Sequence, residues 1–234
     1  MSTTDVKITI LVDNRAGNDL DTEHGFSLWI ETQGKKILFD TGQGGCLVPN
    51  ARQLGIDLNE VDVLALSHGH YDHTGGIPAV LELARNVRVY AHPSIVLPRY
   101  VVTEHESRSI SMPSSALSAL DRLDAQSLVW VQKPISLTDQ VGLTGPIPRD
   151  TSFEDCGGAF YLDPEGASPD PIQDDLSLWI RTNRGVILCT GCCHSGLVNT
   201  LQYIRLLLGP HKLLTIIGGF HLVNAGEERV RKTI

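Results

Sequence analysis

Between positions 68 and 73 the chain carries three imidazoles and a carboxylate, in the run Ser67-His68-Gly69-His70-Tyr71-Asp72-His73-Thr74-Gly75-Gly76. The run follows the apolar stretch Val63-Leu64-Ala65-Leu66 and so leaves the end of a strand. Alternation there points His68 and His70 the same way, Gly69 lets the backbone turn, and Asp72 and His73 continue into the next turn. Nitrogen and oxygen donors that converge on one small volume suit a divalent cation. Zn²⁺ is the leading expectation, Fe and Mn²⁺ fit the same donors, and imidazole bonds of about 2.0–2.1 Å follow if zinc binds. A single histidine at a strand end is ordinarily capped or solvated. Several of them buried with a carboxylate and no cation would leave polar groups unpaired, at about 1–3 kcal/mol each.

The elements that must position these donors are legible as short apolar runs. Residues 6–12, 26–30, 36–39, 61–66 and 87–90 read as strands of a largely buried sheet, separated by Gly, Asp and Asn turns. Helical spacing appears at 47–54 and at 77–84, where Pro78 sits in a tolerated first-turn position. From 103 to 118 the periodicity fades, so 101–125 is expected to be a variable, exposed excursion and a lid over the site, with a helix near 116–123. The second half repeats the vocabulary, with strands at 128–131, 176–181, 186–189 and 213–217 and a helix at 197–208. Residues 164–171, with three prolines and a glycine, read as a surface loop. Strands interleaved with helices in both halves predict an α/β protein of two sheets sandwiched between helices, in one domain spanning 1–234.

Composition narrows the partners. The chain has 234 residues, 19 Lys and Arg against 27 Asp and Glu, and a net charge of −8. Without a basic run, nucleic acid is excluded as an expected partner. The start of the chain is polar, and the apolar stretch at 8–12 is too short for a signal segment or a membrane span, so a cytoplasmic protein acting on a small molecule is expected, with no membrane partner. Five cysteines, three of them crowded at 189, 192 and 193, read as reduced thiols rather than a disulfide framework. No Gly-x-Ser-x-Gly elbow is present, and Gly42-Gln-Gly-Gly45 lacks the Lys and Ser or Thr of a phosphate loop.

The stretch Leu66-Ser-His-Gly-His-Tyr-Asp-His-Thr-Gly-Gly76 resembles the HxHxDH signature of metallo-β-lactamase-fold hydrolases. Ile37-Leu-Phe-Asp-Thr-Gly42, Thr144-Gly-Pro-Ile-Pro-Arg149, Thr190-Gly-Cys-Cys-His-Ser-Gly-Leu-Val-Asn199 and Gly218-Gly-Phe-His-Leu222 resemble more narrowly the 7,8-dihydropterin-6-yl-methyl-4-(β-D-ribofuranosyl)aminobenzene 5′-phosphate synthase branch. The likeness spans about 6–230. It implies an αββα sandwich of two mixed sheets, with one or two divalent metal ions at one edge. His68 and His70 would hold one ion, and Asp72 and His73 the second. Asp72 and His73 would also take part in catalysis, Asp72 by steering the attacking water. The branch continues past the helix begun at Glu227 to a strand and a His-Cys-Thr-Gly motif. This sequence ends at Ile234, so the last strand and helix of the sandwich are expected to be missing, and either His221 serves as the substitute ligand, or the second ion is weakly held, or the chain is a shortened form without the activity.

An additional ligand is expected at His194, whose flanking Gly191 and Gly196 would let the backbone approach a metal. Cys192 is its rival, standing where many superfamily members carry a bridging Asp and offering a soft thiolate. His221 is expected to be a ligand or a hydrogen-bond donor to substrate, and His92 to be structural or to support a ligand from behind. Asp40 would orient a ligand imidazole through its second N–H, or close an ordinary Asx turn. Of Asp174 and Asp175, one is expected to cap a turn and the other, taken as Asp175, to stand beside the ions. Cys189-x-x-Cys192-Cys193-His194 could alternatively form a structural zinc site.

Two adjacent metal ions activate water and neutralise charge on an attacked carbonyl or phosphorus. The leading expectation is therefore hydrolysis of a small ester, lactone or phosphodiester. A synthase or transferase acting on a phosphorylated aminobenzene riboside is the second, with Arg149 meeting the phosphate. A non-catalytic metal-binding or sensing module is the third.

Overall fold

The computed structural model describes residues 5–17 and 19–234. The first four residues, on which part of the N-terminal reading rests, lie outside them. Two compact units emerge: one takes the chain up to Val96 together with Ser111–Trp130, the other Leu97–Ile110 together with Val131–Ile234. Among the described residues no helix is long and apolar enough to cross a membrane.

The first unit is built on a six-stranded mixed sheet in the order Val6–Val12, Ser27–Thr32, Lys35–Phe39, Val63–Ala65, Arg88–Ala91, Leu128–Trp130. The first three strands form an antiparallel meander. Its second turn is tight because Gln33 and Gly34 both take positive φ, 51° and 70°, which matches the twist of the flanking strands. The remaining pairings are parallel. Parallel neighbours require crossovers, and these hold the helices Leu47–Gln53, Tyr71–Thr74, Ile77–Leu83 and Ser114–Asp121. Parallel strands are covered on both faces, which is why Ile37, Leu38, Phe39, Leu64 and Val89 are all fully buried. Each such side chain contributes about 1.5–3 kcal/mol. Asp40, the run from Ser67 and His92 follow the carboxyl ends of three adjacent parallel strands, where open α/β sheets bind ligands.

The second unit carries a five-stranded sheet, ordered Leu213–Ile217, Gly185–Thr190, Ser177–Thr182, Val141–Leu143, Ile135–Ser136. The helix Leu197–Leu208 forms the crossover between the parallel pair Gly185–Thr190 and Leu213–Ile217. Its buried Ile204 packs with Trp179, Val186 and Leu188. A small sheet joins Phe160–Tyr161, Tyr100–Val102 and Ser107–Ser109.

The expected excursion at 101–125 divides. Its first part is an exposed hairpin, Tyr100–Val102 against Ser107–Ser109. Its last part is the helix Ser114–Asp121, whose Ala116, Ala119 and Leu120 lie at i, i+3, i+4 and enter the core of the first unit. That part is core rather than exposed, which corrects the reading from fading periodicity. The short strands Ile135–Ser136, Val141–Leu143 and Phe160–Tyr161 were not anticipated. Val141–Leu143 has a glycine at its centre, which normally argues against a strand. Gly142 is there because the Trp179 ring occupies its side-chain space, 2.4 Å from where a Cβ would stand. The 164–171 segment is a loop, although Pro169 forms a bridge to Tyr161 and Asp170 is buried.

Candidate metal centre

Each unit carries its own group of donors. In the first, His68, His70, Asp72 and His73 are all buried. His70 leads into the single turn Tyr71–Thr74, its carbonyl accepting from the His73 N–H at 3.1 Å and the Thr74 hydroxyl at 2.8 Å. That turn brings His73 Nε2 to 3.5 Å from Asp72 Oδ2. His68 Nε2 stands 3.0 Å from His70 Nδ1. Two donors on one ion at about 2.0–2.1 Å stand roughly 2.9–3.4 Å apart for bond angles between a right angle and the tetrahedral value. Both separations are close to that range. The first-unit donors therefore fit divalent cations in number, type and spacing.

Proton placement supports the same fit. Asp40 Oδ2 accepts from the Ser67 hydroxyl at 2.6 Å and lies 2.7 Å from His73 Nδ1. A carboxylate only accepts, so His73 carries its proton on Nδ1 and its lone pair on Nε2. The single Ser67 proton is given to Asp40, so Ser67 Oγ accepts from His68 Nδ1 at 2.8 Å, and His68 likewise presents the lone pair of Nε2. Asp40 sits at φ 61°, a left-handed conformation that Asp tolerates, held by its N–H on the Ala65 carbonyl and by the Ser27 hydroxyl on its own carbonyl. One buried carboxylate thus orients two imidazoles, one of them through Ser67. Sequence spacing pointed to Asp40 but not to Ser67.

In the second unit, His194 follows Cys193, which is at φ 56°. His194 Nδ1 donates to the Cys156 carbonyl at 2.7 Å, which leaves the lone pair on Nε2, the tautomer of a metal-binding imidazole. Its ring is 4.5 Å from that of His221, and Phe160 stands edge-on to both. His221 is itself at φ 47°. Gly157 is required beside it, since a Cβ there would lie 2.3 Å from His221 Nδ1. Asp175 is buried, accepts from the Ser195 N–H at 2.7 Å through Oδ2, and keeps Oδ1 without a hydrogen-bond partner. Burial pushes its carboxyl up to about 6. Asp174 pairs instead with the buried Arg99, which also binds Asp170.

The other expected residues have partners of their own. Arg149 donates to the carbonyls of His194 and Ile172, at 2.7 and 3.1 Å, so its guanidinium holds main chain. Gly196, at φ 91°, makes room for the Glu154 carboxylate rather than for a metal. Glu154 reaches past it to accept from the N–H groups of Val198 and Asn199, capping the helix Leu197–Leu208. His92 accepts from the Ser94 N–H within a turn. Among the described residues Cys189, Cys192, Cys193 and His194, the alternative zinc site, do not come together as one group of donors. Cys189 is buried in its strand and its thiol is pushed up to about 12. Cys193, raised likewise by burial, contacts the Thr200 hydroxyl. Cys192 is half-buried in the turn beside Gly219. One residue the sequence left unremarked stands in the first group: His24 Nε2 lies 3.3 Å from Asp72 Oδ2.

A mixed α/β sheet that delivers clustered imidazoles and carboxylates from its carboxyl ends presents donors that could hold a metal ion. The chain belongs to the metallo-beta-lactamase superfamily, which it matches over residues 20–208, and it has that superfamily's α/β fold. It is 29% identical to the 7,8-dihydropterin-6-methyl-4-(beta-D-ribofuranosyl)-aminobenzene-5'-phosphate synthase of Methanocaldococcus jannaschii, over 98% of this chain and 82% of the relative. A second protein of that organism, uncharacterized, is 31% identical over 97% of this chain and 84% of its own length. The crystal structure of a metal-dependent hydrolase of the beta-lactamase superfamily matches with a TM-score of 0.80 at 28% identity, covering 98% of this chain and 82% of that one. The superfamily expected from the motifs is thereby confirmed.

Proposed function

We propose that this protein is a metal-dependent hydrolase of small esters, lactones or phosphodiesters, working with two zinc ions. The observation that carries the proposal is the pair of donor spacings in the first unit, His68 with His70 and Asp72 with His73. When bound, the ions supply Lewis acidity and a water activated at neutral pH. The protein's own part is orientation. Asp40 and Ser67 hold the His73 and His68 rings with Nε2 outward, and the Cys156 carbonyl does the same for His194, which we propose as a further ligand. No side-chain nucleophile is needed. The acidic net charge and an odd number of cysteines, three of them crowded at 189, 192 and 193, favour a cytoplasmic enzyme acting on a small molecule.

The test is elemental analysis of untagged protein beside a His70→Ala control, followed by turnover on an ester, lactone and phosphodiester panel. Two zinc ions per chain, lost in the control, together with turnover that chelation abolishes, is the expected result. Full metal loading with no turnover on the panel would transfer the assignment to a non-catalytic metal-binding module.

The methanopterin-pathway relative, matching over 98% of this chain, favours a second reading as a synthase or transferase on a phosphorylated aminobenzene riboside. Conversion of that substrate class by the metal-loaded protein, with the hydrolase panel silent, would establish it.

A further inference from the structure

We propose that Glu23 and His24 form a strap that positions the Asp72 carboxylate for its metal ion, with His24 as the positioning residue; this rests on the two-ion reading above. His24 Nε2 faces Asp72 Oδ2 at 3.3 Å. At that separation the imidazole and the carboxylate stand within ion-pair range of each other. The same oxygen lies 3.5 Å from His73 Nε2, so the His24 contact falls on the carboxylate arm nearest a proposed metal-binding ring.

The His24 side chain is 65% exposed, whereas that of Asp72 is 9% exposed. An imidazole so open adds little packing, yet the segment bearing it is fastened at every residue. Glu23 Oε1 accepts from the N–H groups of Gln43 and Gly44 at 2.9 and 3.2 Å, and Oε2 from that of Gly45 at 3.0 Å. The Gln43 side chain donates to the His24 carbonyl at 2.6 Å, and the Gly25 N–H donates to Asn14 Oδ1 at 3.0 Å. Gly25 lies against the Asp72 carbonyl, where a Cβ would stand 2.4 Å away, and the Phe26 N–H donates to that carbonyl at 3.3 Å. Asp72 is thus gripped at its main chain by residues 25 and 26 and at its carboxylate by His24.

This also accounts for Gly42-Gln-Gly-Gly45. A Cβ at Gly42 or Gly45 would meet the Glu23 carboxylate at 2.4 or 2.8 Å, so these glycines clear space for it. The turn receives an anion, as a phosphate loop does, but the anion is the protein's own carboxylate. Fixing Asp72 before metal arrives removes the rotamer freedom that binding would otherwise have to freeze.

The test is stepwise Co²⁺ and Zn²⁺ titration of metal-free protein, followed by visible absorption and elemental analysis, with H24A, H24Q and E23Q beside wild type. Outer partners of metal ligands typically contribute about 10–100-fold in affinity. H24A should weaken one of the two equivalents by about that factor and leave the other unchanged. H24Q, which keeps an amide N–H donor, should recover most of the loss, and E23Q should fall between. The melting temperature of metal-free H24A should equal that of wild type, which separates positioning from general stability. Unchanged affinity for both equivalents in H24A overturns the strap, and so does equal weakening in H24A and H24Q. If wild type itself takes up fewer than two equivalents, the two-ion reading fails and the strap falls with it.

Discussion

Asp40 Oδ2 accepts the Nδ1 proton of His73 at 2.7 Å, and the two side chains are 0% and 1% exposed. The pair joins residues 33 positions apart and decides which His73 nitrogen is offered to a cation. Asp40→Asn keeps the left-handed backbone, because Asn tolerates it, but offers an amide where a charged acceptor stood. A metal affinity lower by about 10–100-fold is expected, with the fold intact. Competition with a chelator of known affinity, beside far-UV circular dichroism, checks both halves.

Asp175 couples stability to pH. Its carboxyl, ordinarily near 3.8, is pushed up to about 6 by burial, so the folded protein prefers the protonated form. The associated stability, ~3 kcal/mol, is fully present below 3.8 and is lost as pH rises through about 6. Chelator-treated wild type should lose urea resistance across that window. Asp175→Asn should flatten the profile and exceed wild type at pH 7.5. Parallel pH profiles for the two proteins would contradict the assignment.

Gly196→Ala forces a Cβ into a site at φ 91° where the Glu154 carboxylate would be 2.3 Å away. Backbone strain alone amounts to about 1–3 kcal/mol, and moving Glu154 uncaps the helix Leu197–Leu208. A lower urea midpoint is expected, together with faster amide exchange at Val198 and Asn199. Preserved exchange protection there would show that Glu154 is not the cap.

Arg149→Ala removes two donors to main-chain carbonyls, one of them that of His194. Stability should fall by about 1–3 kcal/mol. Binding of a phosphorylated aminobenzene riboside, measured calorimetrically below the variant's melting temperature, should not change. A selective loss of that binding with stability retained would instead make Arg149 the phosphate contact of the synthase reading.

Much of the architecture was legible because its signals are local. The strand Val6–Val12, the helix Leu197–Leu208 and the strand Leu213–Ile217 follow from unbroken apolar periodicity. The donors from His68 to His73 were legible because six positions hold them all at a strand end. Val141–Leu143 was not, since three residues centred on a glycine carry no period, and the Trp179 ring that explains Gly142 is 37 positions away. Arg149 advertises charge by its type, whereas its two carbonyl partners leave no trace in composition. His24 gave almost no signal, because a lone histidine before a strand is ordinary until the chain brings it against Asp72.

The sequence by itself determined the chemistry available: imidazoles and carboxylates concentrated at a strand end, thiols odd in number and crowded in one segment rather than spaced as a framework, and the family that this pattern marks. The tertiary structure decided the state of each donor. Which nitrogen of His73 and His194 carries the proton depends on Asp40 and on the Cys156 carbonyl, 33 and 38 positions away. Whether a glycine serves a metal or a neighbouring carboxylate depends equally on what packs there. Donor type is a property of one residue, whereas proton position, ring orientation and free space are properties of pairs that meet only when the chain folds.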